Sequence, residues 1–217
     1  MEDATKVIHQ KARDAFDVIA EKYHVLFKDE MKEKPYDRTY LDNFCSLLPE
    51  NALVCDAGCG PSGHVGRYIF DKGINTFGID ISPRCIELAR TYNPGMQFQC
   101  TDFLDWQQPF ETLDGIVSFY SIIYTPRNAV GDILSVFHDK LKKEGQLVVV
   151  VKKGVFEGYQ SSVLGYDVHP YFTEYSKETL QDVLEDAGFQ ILDVSQRKAY
   201  SQEIDNQRIY CRCKKRS

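Results

Sequence analysis

The stretch Val54-Cys55-Asp56-Ala57-Gly58-Cys59-Gly60-Pro61-Ser62-Gly63 decides how this chain folds. An apolar run ends in a glycine-rich turn, and helical spacing resumes from about residue 63. Glycine at a strand-to-helix turn lets backbone N–H groups and the positive end of the helix approach a ligand closely. Gly58, Gly60 and Gly63 fit the pattern G-x-G-x-x-G. Asp80 follows 22 residues after Gly58, at the end of the next apolar run, where an acid binds ribose hydroxyls. Taken alone, the glycines describe a dinucleotide site. Asp56 argues otherwise, because a carboxylate about 4 Å from a diphosphate is repelled by roughly 4 kcal/mol at an effective dielectric of about 20. An acid at that position suits a ligand that is locally cationic.

Outward from this turn, short apolar runs alternate with helical stretches. ALVCDA (52–57) precedes a helix over 63–72, and NTFGID (75–80) precedes a helix capped by Ser82 and started by Pro83, where the missing N–H costs nothing. MQFQC (96–100) alternates strictly. LDGIVSFY (113–120) leads into a helix with Val130, Ile133, Leu134, Phe137 and Leu141 on one face, and QLVVVV (146–151) is apolar throughout, as a strand covered on both faces requires. This βαβα rhythm predicts an α/β fold, a Rossmann-like doubly wound sheet that is mostly parallel with helices on both faces. Ahead of it, residues 4–27 place Ile8, Ala12, Ala15, Phe16, Ile19, Tyr23 and Leu26 on one helical face. A second helix follows Pro35 with Tyr40, Leu41, Phe44 and Leu47 inward, and Pro49 ends it.

Residues 153–175 carry glycines and aromatics without clean periodicity, which predicts a long loop or lid over the carboxyl edge of the sheet. A helix with Leu180, Val183, Leu184 and Ala187 inward then stops at Gly188. FQILDVS (189–195) and RIYCRC (208–213) lie too close in sequence for a helical crossover, so they predict a C-terminal antiparallel hairpin. The whole of 1–217 reads as one domain: a helical cover over 1–50, a ligand-binding core over 51–152, the lid over 153–175, and a closing helix and hairpin over 176–217.

With these features in place, the sequence resembles the class I S-adenosylmethionine-dependent methyltransferases, of the small stand-alone type that acts on small molecules, over nearly its whole length. The family's acid-x-Gly-x-Gly signature stands as Asp56-Ala57-Gly58-Cys59-Gly60, its ribose-binding acid closes the second strand in Gly78-Ile79-Asp80-Ile81-Ser82, and its acidic–hydrophobic pair after the third strand is Asp102–Phe103. The resemblance implies S-adenosylmethionine as cofactor and methyl transfer to an O, N, S or C nucleophile of a small molecule by in-line displacement. It implies that Gly58 and Gly60 admit the backbone to the methionine part while Asp56 orients that loop or the ammonium. Asp80 would accept from the ribose, Asp102 would meet the adenine amino group, Phe103 would supply a backbone N–H, and Phe119, Tyr120 and Ser121 would line the methionine side. Tyr23, Cys59, Ile81 and Thr101 complete the expected cofactor-binding set. Ser62 lengthens the turn by one residue and leaves open whether Ser62 or Gly63 lies nearest the cofactor. A nicotinamide-dependent oxidoreductase using the glycine turn, and a protein that binds the cofactor without turnover, stand as the alternatives.

Composition narrows the partners. A formal charge of −6 and a sequence pI near 5.4 disfavour a protein that neutralises many phosphates. The base-methylating enzymes' Asp/Asn-Pro-Pro-Tyr/Phe run is replaced here by Ser118-Phe119-Tyr120-Ser121, which also speaks against nucleic acid. No apolar stretch approaches the ~20 residues a membrane span needs. Seven cysteines with no CxxC fit reduced thiols in a cytoplasmic protein, monomeric or homodimeric, and Cys211-x-Cys213 reads as two core thiols rather than a metal site. His169 in the lid and Tyr124 after the fourth strand are the candidate proton acceptors. Arg197, Glu203 and Arg208 read as a salt-bridge network.

Overall fold

The valine run that the sequence marks as doubly covered sits inside a seven-stranded sheet. The computed structural model describes residues 2–201, 203 and 206–216. Helices α1 (Glu2–Phe27), α2 (Glu30–Glu33) and α3 (Pro35–Cys45) precede β1 (Leu53–Ala57). Then follow α4 (His64–Phe70), β2 (Asn75–Asp80), α5 (Pro83–Tyr92), β3 (Gln97–Cys100), β4 (Leu113–Phe119), α6 (Val130–Lys140) and β5 (Leu141–Lys152). A small hairpin, β6 (Glu157–Tyr159) and β7 (Tyr171–Thr173), leads to α7 (Lys177–Asp186), β8 (Phe189–Arg197) and β9 (Arg208–Lys215). The sheet order is β3-β2-β1-β4-β5-β9-β8, with β1 to β5 parallel and β9 antiparallel to both of its neighbours. The expected hairpin is therefore present, and its second strand is the one inserted against β5.

Alternate residues of a strand point to opposite faces, and β5 uses both. Leu147, Val149 and Val151 pack with Ile133, Leu134 and Phe137 of α6 and with Leu180 and Leu184 of α7. Val148 and Val150 pack with Leu41 and Phe44 of α3 and with Val65 and Ile69 of α4. Each such side chain, fully buried, contributes roughly 1.5–3 kcal/mol, which is why an unbroken apolar run is stable only here. Cys211 and Cys213 are buried in the α6–α7 layer, as the core-thiol reading expected. Ser82 caps α5 by accepting from the Cys85 N–H at 3.0 Å.

Three expectations need correction. Leu47 is exposed because α3 stops at Cys45, where Leu47 N–H bonds to Phe44 O and the helical stripe ends. Leu26 is exposed because Tyr23, His24 and Phe27 take the inward positions of the last turn of α1. Residues 153–175 are not a loose lid. The β6–β7 hairpin is stapled to the end of β5 through Gly154 N–H to Tyr175 O and Tyr175 N–H to Lys152 O. Arg127 ties it to the body through Glu157 at 2.8 Å and Glu174 O at 2.9 Å.

Helix α1 packs on α5, on the turn 122–124 and on β7, so it crosses the carboxyl edge of the sheet. Small residues on its inner face, Ala12, Ala15 and Ala20, allow the close approach. Asp17 fixes its position, accepting from Ser82 Oγ at 2.5 Å and from the Arg84 N–H at 3.1 Å.

Candidate active site

The turn between β1 and α4 is organised by carboxylates. Asp56, 2% exposed, accepts from the Gly66 N–H of α4 at 2.8 Å. Burial pushes its carboxyl up to about 6 against the opposing Gly66 hydrogen bond. Asp80 accepts from the Gly60 N–H and the Ser82 N–H, both at 2.9 Å, and burial raises it likewise to about 6. The Gly58 and Cys59 N–H groups bond to Ile79 O at 2.8 and 3.0 Å, and Gly63 N–H to Cys59 O at 3.2 Å. Four amides of the glycine turn are thus committed inside the protein rather than offered to a phosphate.

The two glycines that open the turn serve different ends. A Cβ on Gly58 (φ +81°) would fall 2.1 Å from Ser121 Cβ, while the Ser121 hydroxyl donates to Ala57 O at 2.7 Å. A Cβ on Gly60 (φ +61°) would meet no atom within 4 Å, because this residue faces open space. Gly58 is therefore demanded by the chain's own packing, and Gly60 by backbone conformation and by the space in front of it.

At the end of β3, Asp102 Oδ1 accepts from the Leu104 N–H at 2.9 Å and its Oδ2 lies 2.7 Å from His9 Nδ1. Burial raises Asp102, but the His9 contact and the Leu104 bond outweigh it and hold the carboxyl below its ordinary range. His9 Nε2 reaches Thr125 Oγ1 at 3.0 Å, so α1 is pinned to both β3 and the turn after β4.

These groups surround a cavity with an empty volume of about 1020 Å³, part of it open to solvent. Every residue of the expected cofactor set lines it: Tyr23, Asp56, Gly58, Cys59, Gly60, Asp80, Ile81, Thr101, Asp102, Phe103, Phe119, Tyr120 and Ser121. Ser62 lines it and Gly63 does not. Tyr124 lines it as a wall, edge-on to Phe16 at 4.9 Å, and burial raises its hydroxyl above the ordinary phenol range. His169 does not reach the cavity. It lies half-exposed beside Asp167 and Gln160 O, both at 3.0 Å, in the connection between β6 and β7 that α1 contacts through Lys22 and Leu164 O. Nor does any described residue of 153–175 line the cavity, whose roof is built by α1, α2 and the start of α3.

Sequence reasoning missed His9, Glu30, Met31, Asp37 and His64, all of which line the cavity. They lie outside the glycine-turn spacing, and nothing local distinguishes them from solvated helix residues. Five carboxylates (Glu30, Asp37, Asp56, Asp80 and Asp102) face the cavity, and among the described residues no lysine or arginine does. The matching cations stand behind. Lys34 bonds to Glu30 at 2.6 Å and Glu203 at 2.7 Å, while Arg197 holds Glu203 at 2.5 Å and Asp37 at 3.1 Å. Arg208 lies 3.5 Å from Glu203, so the Arg197–Glu203–Arg208 network the sequence suggested is present and lies behind the wall. Tyr120, at the end of β4, has φ +55°, a strained conformation for an aromatic residue.

Residues 54–145 match the family model of the methyltransferase domain. An uncharacterized methyltransferase of Oceanobacillus iheyensis is 27% identical over 123 residues, 56% of each chain, so the chain spans about half the length of the curated relative it matches. Among solved structures, the 1,6-didemethyltoxoflavin-N1-methyltransferase of Burkholderia thailandensis, with 1,6-didemethyltoxoflavin and S-adenosylhomocysteine bound, superposes with a TM-score of 0.77 at 17% identity, over 98% of this chain and 91% of that one. A TehB-like methyltransferase of Corynebacterium glutamicum gives 0.67 at 18% identity, over 92% of this chain and 99% of that one. Residues 54–145 are thus similar to the methyltransferase domain, and the chain has the fold of these solved methyltransferases.

Proposed function

We propose that this protein transfers a methyl group from S-adenosylmethionine to a small molecule. The observation that carries this reading is the charge of the cavity, which has five carboxylates and, among the described residues, no lysine or arginine. A sulfonium and an ammonium are stabilised by such a wall, whereas a pyrophosphate would meet like charge and a turn whose amides are already committed. The residues present fit the cofactor. Asp80 has lone pairs left that would serve ribose hydroxyls, Asp102 and Phe103 would border the adenine, and Gly60 fronts open space that would take the methionine part.

When bound, S-adenosylmethionine supplies the activated methyl carbon. The protein's task is then to orient the nucleophile and exclude water, which α1 does by roofing the carboxyl edge of the sheet. The cavity volume suits a compact acceptor beside the cofactor. Its walls of Phe16, Tyr23, Met31, Phe119, Tyr120 and Tyr124 support a partly apolar one. No helix among the described residues is long and apolar enough to cross a membrane.

A thermal-shift comparison tests the reading. A ligand at 100 times its dissociation constant adds about 2.7 kcal/mol to the folded state. S-adenosylmethionine and S-adenosylhomocysteine should each raise Tm, and NAD should not. Stabilisation by NAD alone would replace methyl transfer with hydride chemistry. Stabilisation by S-adenosylmethionine with no methylated product from any acceptor would leave a binding protein.

A further inference from the structure

The three acids at the ends of β1, β2 and β3 are not held alike. Asp56 and Asp80 are fixed by backbone N–H groups, those of Gly66, Gly60 and Ser82, which all belong to the segments directly after β1 and β2. Asp102 has one bond of that kind, from the Leu104 N–H to Oδ1 at 2.9 Å. Its other oxygen is taken by a side chain of the roof, because His9 of α1 places Nδ1 2.7 Å from Oδ2 across 93 residues of sequence. His9 is buried, lines the cavity, and is braced on its far side by Thr125 Oγ1, 3.0 Å from Nε2. The imidazole is held at both nitrogens, so it cannot turn without giving up both contacts.

This arrangement decides what Asp102 can do. Burial raises the carboxyl, but His9 is the largest opposing influence, ahead of the Leu104 N–H and Lys6, and together they hold it below its ordinary range. An ionised carboxylate only accepts, so it is Nδ1 that donates. The charged groups facing Asp102, His9 and Lys6, both belong to α1, and Lys6 also lies 3.5 Å from Asp105. Two of the carboxylate's four lone-pair directions remain unused, and its side chain, 14% exposed, lines the cavity. A ligand group placed against it must therefore donate. An amino group does so, whereas an oxo group in the same place turns a lone pair toward a negative charge.

Resting on the methyl-transfer reading above, in which Asp102 would border the adenine, we propose that His9 is a positioning residue for the cofactor: it holds Asp102 as a fixed acceptor for the exocyclic amino group, and so makes recognition of that group depend on the seating of α1. Asp56 and Asp80 carry no such dependence, since their hydrogen-bond donors lie in the body of the fold. A buried site built to hydrogen-bond an N–H rejects an analogue that lacks it, because its own polar group is then left unpaired.

The test compares S-adenosylhomocysteine with S-inosylhomocysteine, which carries an oxo group in place of the amino group, by calorimetry on the full chain. The wild-type protein should prefer the adenosyl compound by about tenfold or more, the scale of one hydrogen bond to a charged acceptor. His9→Leu should lose most of that preference through weaker adenosyl binding, with inosyl binding little changed. His9→Asn, whose amide N–H can still reach toward Asp102, should recover part of it and guards against a leucine variant that does not fold. The Asp102 carboxyl, followed by its 13C resonance, should titrate at higher pH in His9→Leu, because burial is then opposed by Leu104 and Lys6 alone. As pH falls, that variant should accordingly lose adenosyl affinity sooner than the wild type. Equal weakening of both compounds in His9→Leu and His9→Asn, or an Asp102 titration that does not move, would reduce His9 to a structural pin and overturn the inference. So would a wild-type protein that binds both compounds equally, which leaves the methyl-transfer reading standing. A wild-type protein that binds neither compound nor S-adenosylmethionine sinks that reading and this inference with it.

Discussion

At the residue scale, the site is governed by acids that burial makes reluctant to ionise. Asp56 and Asp80 are both pushed up to about 6, so the unliganded fold holds protons that an unfolded chain would release. Stability from these groups is therefore fully present below about pH 4 and is lost as pH rises toward about 6. A cationic ligand reverses the preference by favouring the ionised acids. The affinity for S-adenosylmethionine should fall about tenfold between pH 7 and pH 5 for each acid that must ionise, and calorimetry in buffers of different ionisation enthalpy should detect proton release near pH 6. Asp80→Ala should weaken binding at least tenfold at pH 7, since a hydrogen bond to a charged acceptor is worth about 1.5–3 kcal/mol. The glycines provide a matched pair. Gly60→Ala should cost only the left-handed strain of about 1–2 kcal/mol but weaken the cofactor, whereas Gly58→Ala adds a clash with Ser121 and should lower Tm further. The three acids were legible because they end successive strands at fixed spacings from the glycines. Their partners were not, since Gly66 and His9 reach Asp56 and Asp102 only through packing.

At the element scale, the amphipathic spacing of residues 4–27 announced α1 but not that it would roof the cavity. That placement depends on Asp17, which bonds to both Ser82 and the first turn of α5. Asp17→Ala should remove two charge-assisted hydrogen bonds, each about 1.5–3 kcal/mol at most, and speed hydrogen exchange in α1 while leaving the strands protected. Uniformly unchanged exchange would show that the roof is held by its alanine-rich face alone. The hairpin β6–β7 escaped the sequence for a plain reason: three-residue strands carry too few positions for a period to emerge. Its glycines and aromatics suggested a lid over the carboxyl edge. In the fold Phe172 and Tyr175 are buried against the end of β5 and the turn after β4 instead.

At the scale of the whole molecule, one buried ion network joins the amino-terminal helices to the last two strands. Glu203 receives Arg197 at 2.5 and 2.9 Å and Lys34 at 2.7 Å, and although burial alone would raise its carboxyl, these partners lower it to about 2. Its stabilisation is thus present above the ordinary Glu range and lost only as pH falls toward about 2. Glu203→Gln leaves Lys34 only Glu30 and Arg197 only Asp37 as carboxylate partners and should destabilise by about 1.5–3 kcal/mol, a Tm decrease of about 3–12 °C for a chain of this size, measurable by calorimetry. Because the network backs Glu30 and Asp37, the same variant should also perturb the cavity wall. The sequence by itself determined the succession of the seven strands of the main sheet, the doubly covered β5, and the three acids at the carboxyl edge, because spacing along a strand or helix dictates which face a side chain takes. Only the tertiary structure decided what faces those acids: the roof of α1, the contact of His9 with Asp102, and the placement of His169 outside the cavity. Those depend on contacts between residues far apart in the chain, whose free energies are set by burial and charge pairing that no local pattern records.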